Sequence, residues 1–309
     1  MREHDWALAQ RRGETSMRVG SKALAAFAAT ATAVAIWGGP AVLAAPPSTF
    51  RCAGTFASPM IIPAGTYQAL HMPAGSFCQI TGPGLVRVTS RLRIGNGAGL
   101  LVVGGSLTVD GPVRVEPDAA FGVPTNLTPV SIGGSVRVLA NGAFILGTET
   151  PGGPDFASIE GTVRGVDAST VQIHNTRVFG EVTMTGGGGL NAVVDEVTGT
   201  SVDNNFNDLE DDQISGHVRV TRYDGVWAGI IRDVISGPLS FTYNSEAPNI
   251  DEYDIGSDLI DGSARCSHND PVPNTGASDG SPSIVHGPVL GDQAATCTGV
   301  AGGVSGPPV

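Results

Sequence analysis

The sequence predicts an all-β chain folded as a right-handed parallel β-helix, with a disulfide near each end. Three observations carry that expectation. A short glycine-centred unit recurs along the chain. No apolar period of 3.6 residues competes with it. Four cysteines fall as two pairs, one toward each end.

The recurring unit reads [Ile/Val]-x-Gly-x-apolar-x-apolar. Around Gly105 the apolar slots hold Val103, Leu107 and Val109. Around Gly134 they hold Ile132, Val136 and Val138, and around Gly180, Val178, Val182 and Met184. Gly216, Gly237 and Gly262 repeat the pattern, and Gly161, Gly199 and Gly287 share its leading residue. Alternation with a period of two marks a half-buried strand. A glycine inside it marks a bend or a close backbone approach. Internal repeats of about 20–30 residues define a solenoid. The Leu and Asn pattern of leucine-rich repeats is absent, which leaves strands stacked coil on coil about 4.8 Å apart, with variable loops at the corners.

The elements follow in order. Residues 1–45 combine a basic start, an apolar run from Ala23 to Trp37, a Gly38-Gly39-Pro40 break and small residues to Ala45. This is the pattern of a secretory signal peptide, with Met17 an alternative start. The run is short of the roughly 20 residues a membrane span needs. Residues 46–81 read as an N-terminal cap and 82–297 as the solenoid, with a C-terminal cap from about 266. Residues 298–309, rich in Gly and Pro, read as a disordered tail. Caps are expected because an open solenoid end presents unpaired strand edges.

Beyond residue 45 the chain has no lysine, and twelve arginines face 26 Asp and Glu. That balance argues against nucleic acid or anionic lipid as partners by overall charge, and is compatible with divalent cations. Cys52, Cys78, Cys266 and Cys297 allow three pairings. In an exported chain they read as disulfides. The proximal pairing, Cys52–Cys78 and Cys266–Cys297, closes each end separately. None of the spacings suits zinc.

The run Pro73-Ala74-Gly75-Ser76-Phe77-Cys78-Gln79-Ile80-Thr81-Gly82 and the segment Cys266-Ser267-His268-Asn269-Asp270-Pro271-Val272-Pro273 resemble the opening and closing motifs of small secreted β-helix proteins of actinobacteria. The resemblance spans 52–297 and implies the same architecture. It brings no catalytic residues. In that group the coil motif usually begins Asn-Thr-Val; here aspartate takes the Asn position in several coils.

Three groups of residues are candidates for chemistry. Asp195, Asp212, Asp233 and Asp258 each stand four residues before a coil glycine. They read as a turn ladder that satisfies backbone groups, with a cation ladder as the alternative reading. The loop from Asp203 to Asp212 follows Gly199, where Ser201 and Asp203 break the apolar pattern. It reads as solvated surface or as a calcium site using Asp203, Asp208, Glu210 and Asp212, since calcium accepts irregular sets of oxygens. Arg222, Tyr223, Trp227 and Tyr243 form the candidate ligand face, because sugar sites use stacking aromatics beside charged groups. The function expected first is a non-catalytic, secreted or envelope-associated scaffold for binding or adhesion, with a polysaccharide or another cell-surface component as partner. A polysaccharide-active enzyme is the alternative, an expectation by fold analogy. Convergence of Asp203, Asp212, Arg222, Tyr223 and Tyr243 in one groove would favour the enzyme.

Overall fold

The computed structural model describes residues 48–148, 150–188, 206–225, 227–245, 253–274 and 281–298. The unit Ala45–Val309 is a parallel β-solenoid. Among the described residues every pairing between named strands is parallel, and the strands form a 19-stranded and a nine-stranded sheet. A full coil contributes three strands. The first lies before the coil glycine, the second after it, and the third on a separate face. One coil, for example, runs Val130–Ile132, Val136–Val138 and Ala143–Leu146. In the earliest coils the first two strands are continuous, as Gly65–Met72 and Leu85–Ile94. Ser90 stands where later coils carry the glycine, and the strand there does not break.

The glycine is required by proximity. A Cβ on Gly180 would lie 2.5 Å from the carbonyl oxygen of Gly161, and one on Gly216 would lie 2.5 Å from that of Gly180. Gly262 meets Gly237 and Gly287 meets Gly262 in the same way. The bends nest so closely that no side chain fits between successive coils.

The expected interior column is present. Val136, Val163, Val182, Val218 and Leu239 stack in register on the second face, and all are fully buried. Ile132, Ile159, Val178, Ile214, Ile235 and Ile260 line the first face and are equally buried. Phe121 and Phe144 stack at 5.1 Å inside the third. Full burial of one such side chain contributes about 1.5–3 kcal/mol relative to its exposure. The repeated column is therefore the main source of cohesion.

One phase assignment is corrected. Leu107 and Val109 after Gly105 pair with Val130 and Ile132, so they lie on the first face. Gly105 is a turn residue with φ +70°, Val103 before it is exposed, and Gly111 starts the glycine column, since Val113 aligns with Val136. Further along, Val182 pairs directly with Val218, so the described strands after Gly180 and Gly216 are immediate neighbours. Residues 189–205, which include Gly199, Asp195 and Asp203, lie outside the described residues.

The expected N-terminal cap is itself built of coil: Thr49–Arg51 pairs with Gly65–Met72, and Met60–Ile61 with Phe77–Ile80. The disulfides are Cys52–Cys78 and Cys266–Cys297, with Cα separations of 6.1 and 5.7 Å. A short 3-10 turn, Thr296–Thr298, carries Cys297 back to the last full coils. The signal-peptide and tail assignments, residues 1–45 and 299–309, fall outside the described residues. Among the described residues no helix is long and apolar enough to cross a membrane.

Candidate functional site

The aspartate column is a ladder, and it points inward. Thr176 N–H donates to Asp212 Oδ1 at 2.8 Å, Asp212 N–H to Asp233 Oδ1 at 2.8 Å, and Asp233 N–H to Asp258 Oδ1 at 3.0 Å. Asp258 N–H donates to Ser283 Oγ at 3.1 Å. The residue before each aspartate, Asp211, Arg232 and Ser257, has φ between 58° and 61°. That left-handed corner swings the next side chain under the coil. Earlier coils fill the same position with Val86, Leu107, Val130 and Ala157. Burial, followed by the neighbouring aspartate's charge, pushes Asp212 and Asp233 well above the usual carboxylate range, and burial does the same to Asp258. A second ladder occupies the opposite corner, where Asn244 Oδ1 accepts from Tyr223 N–H and Asn269 Oδ1 from Asn244 N–H.

This geometry separates the three described carboxylates considered for calcium, Asp208, Glu210 and Asp212, while Asp203 lies outside the described residues. Asp208 and Glu210 face away from the core on the strand Phe206–Glu210, on either side of the interior Leu209, and are nonetheless buried. Asp212 lies beyond the corner in the ladder. The outward pair meets His174 on the preceding coil instead, at 3.4 Å from Asp208 and 3.8 Å from Glu210. The three can bring ligand atoms within 4.8 Å of one another. A nitrogen with two carboxylates suits a borderline ion of the zinc kind better than calcium. Arg232, however, already engages Glu210 and Asp211 at 3.0 Å each. Burial lowers His174 to about 4, with Arg232 adding to the effect and Asp211 opposing it. The imidazole is thus neutral at neutral pH. Next along this face come Gly229 and Asp254, in register with Asp208. Trp227 Nε1 donates to Asp254 Oδ2 at 3.3 Å.

The expected ligand face does not form. Tyr223 is fully buried in the core, and burial raises its hydroxyl pKa well above normal. It follows the left-handed Arg222, so the corner that exposes Arg222 turns Tyr223 inside. Tyr243 is exposed at the equivalent corner one coil on and stacks on His268 at 4.6 Å. Trp227 is half-buried on the third face. Asp212 and Tyr223 are interior, so they do not share a groove with Arg222 and Tyr243.

A different row emerges on the second face. Arg51, His71, Arg93, Arg114, Arg137 and Arg164 occupy the same outward position on six consecutive coils. Thr183, Arg219, Ser240 and Arg265 continue it. Seven of the twelve arginines beyond residue 45 therefore stand in one line on an acidic protein. Beside the line runs a groove of about 680 Å³, whose lining includes Thr49, Ala69, Arg91, Pro112 and Ser135. Glu116 accepts from Nε of both Arg93 and Arg114 at 2.8 Å. Arg114's hydrogen bond outweighs burial and, with Arg93, holds Glu116 below the usual carboxylate range. His71 is lowered by burial and then by Arg51, Arg93 and Arg91. Arg51, Arg91, Arg137 and Arg164 have no carboxylate within ion-pair distance among the described residues. The row was visible in the sequence: Arg114, Arg137, Arg164, Arg219 and Arg265 each stand three residues after a coil glycine, between the two apolar slots.

No family model, curated protein or solved structure matches the chain.

Proposed function

We propose that the protein is an exported, non-catalytic β-helix scaffold that binds an extended polymer of the cell surface or its surroundings along its second face. The observation that carries this reading is the unbroken line of basic side chains from Arg51 to Arg164, mounted on the strands of the rigid solenoid rather than on its loops. A binding surface built on regular strands repeats at fixed spacing and suits a repeating ligand. Export is supported by the leader-like residues 1–45 and by the paired cysteines. The likeness of the two cysteine motifs to secreted β-helix proteins of actinobacteria points the same way.

One observation favours an enzyme as a second reading. Asp208 and Asp254 stand in register on either side of Gly229 on the third face, on the side away from the core but buried, two strand spacings or roughly 9–10 Å apart at their Cα atoms. Inverting glycosidases hold their two carboxyl groups about 6.5–9.5 Å apart. His174, Glu210 and Trp227 stand beside them. Incubating the purified protein with acidic and neutral polysaccharides, and following both retention and chain length, tests the two readings together. The scaffold reading expects retention with no shortening. Shortening that disappears in Asp208→Asn and Asp254→Asn would replace it with the enzyme, and neither retention nor shortening would remove both.

A further inference from the structure

We infer that the arginine row binds a linear acidic polysaccharide, with one anionic group per sugar, laid along the solenoid axis from Arg51 toward Arg164. The inference rests on the binding-scaffold reading and adds the chemical class of the polymer.

The spacing of the row favours such a polymer. Successive coils lie about 4.8 Å apart, and the six side chains in the line occupy one outward position per coil. A pyranose chain laid along the axis advances by about one such spacing per sugar, so its anionic groups recur in step with the five guanidiniums and the His71 imidazole, at every coil or, where successive sugars turn over, at every second coil. Duplex nucleic acid presents a charge about every 1.7 Å of axis, which is out of step with the row. Single-stranded nucleic acid is held largely by stacking on aromatic side chains, and the groove lining holds no Phe, Tyr or Trp, only the His71 imidazole.

The row also carries a cost in the free protein. Like charges placed directly opposite on paired strands are destabilising. Arg114, Arg137 and Arg164 are three such neighbours in succession. Glu116 does not cancel the row. Its one carboxylate engages both Arg93 and Arg114, leaving each guanidinium further N–H groups for a ligand, while Arg91 and Arg137 in the same groove have no acidic partner among the described residues. Guanidinium groups pair with carboxylates and sulfates through two parallel hydrogen bonds. Along the groove, Thr49, Ala69, Pro112 and Ser135 are small and leave room for sugar rings beside the charged line.

The experiment measures binding of the full chain to three probes at several salt concentrations. These are a polyuronate, the same polymer with its carboxyl groups reduced to alcohols, and single-stranded DNA. The inference expects the polyuronate to bind at least tenfold more tightly than either of the others. It also expects affinity to fall steeply as salt rises. The double variant Arg137→Gln/Arg164→Gln should lose about tenfold or more and reduce the salt slope by about two, one per charge removed. Both side chains are exposed and have no ion-pair partner among the described residues, so the fold should survive, and circular dichroism checks this. Arg177→Gln, which breaks a pair with Asp155 away from the row, should leave affinity unchanged. Equal binding of the reduced polymer would overturn the acidic specificity while leaving the scaffold reading standing. Preference for DNA would overturn the polysaccharide. Binding by none of the three would overturn the inference and, if the wider polysaccharide panel also fails, the scaffold reading with it.

Discussion

At the scale of single residues, the inward aspartates are the least expected feature. A carboxylate whose pKa rises on folding stabilises the native state only at low pH. That contribution is complete below its unfolded value near 3.8 and is lost as pH rises through the folded value. Asp233 is raised, by burial first and then by Asp258. Its Oδ1 is used by Asp212 N–H, while Oδ2 has no hydrogen-bond partner. Asp233→Asn keeps the acceptor and removes the group whose ionisation burial penalises. It should raise the melting temperature at pH 7, and the gain should shrink toward zero below pH 4. A melting temperature that falls at pH 7 would show that the column is stabilised as anions. His174 has the opposite sign. Its pKa is lowered to about 4, so its contribution is present above about 6.5 and is lost as pH falls toward 4. His174→Gln should flatten the decline in stability over that window, read as melting temperature against pH.

At the scale of the coil, the glycine column is the most sensitive element. A methyl group on Gly262 would sit 2.5 Å from the Gly237 carbonyl and the Pro238 nitrogen. Neither atom belongs to a movable side chain. Gly262→Ala should cost about 2–3 kcal/mol, seen as a lower urea midpoint. Gly75→Ala has open space but a φ of +68°, and should cost about 1 kcal/mol from backbone strain alone. This contrast also explains what the sequence could and could not reveal. The slots two and four residues after a coil glycine identified the interior, because alternation leaves no other face for Val136, Val182, Val218 and Leu239. Glycine alone is ambiguous: Gly105 is a left-handed turn and Gly111 a close approach, and both are flanked by apolar residues. Tyr223 was misplaced because a left-handed Arg222 reverses the facing of the next residue, which no composition signal announces. His174, Asp208 and Asp254 are brought together only by stacking across long loops, so their row had no local signature. The arginine row did have one, in the residue between the two apolar slots.

At the scale of the whole molecule, the two disulfides and the segregation of charge set the behaviour. The bridges close loops across sequence separations of 26 and 31 residues, each contributing about 3–4 kcal/mol by restricting the unfolded chain. Reduction should therefore lower the thermal midpoint, and non-reducing peptide mapping should recover the two proximal pairs alone. The overall charge is acidic, which by itself argues against anionic partners. That argument holds for the average and fails for the second face, because stacking converts a residue repeated once per coil into a continuous basic line. Long-range repulsion from the acidic surface is screened beyond about 8 Å at physiological salt, so a polyanion held at the row feels the arginines more than the distant aspartates. The central claim is that this line reads a polymer unit by unit. It is tested most directly by measuring the affinity of the native chain for uronate oligomers of increasing length. The line from Arg51 to Arg164 covers six coils, or roughly 24 Å from first to last. Affinity should climb with each added sugar up to about six and then level off. An affinity already complete for a disaccharide, and unchanged by further length, would contradict the account.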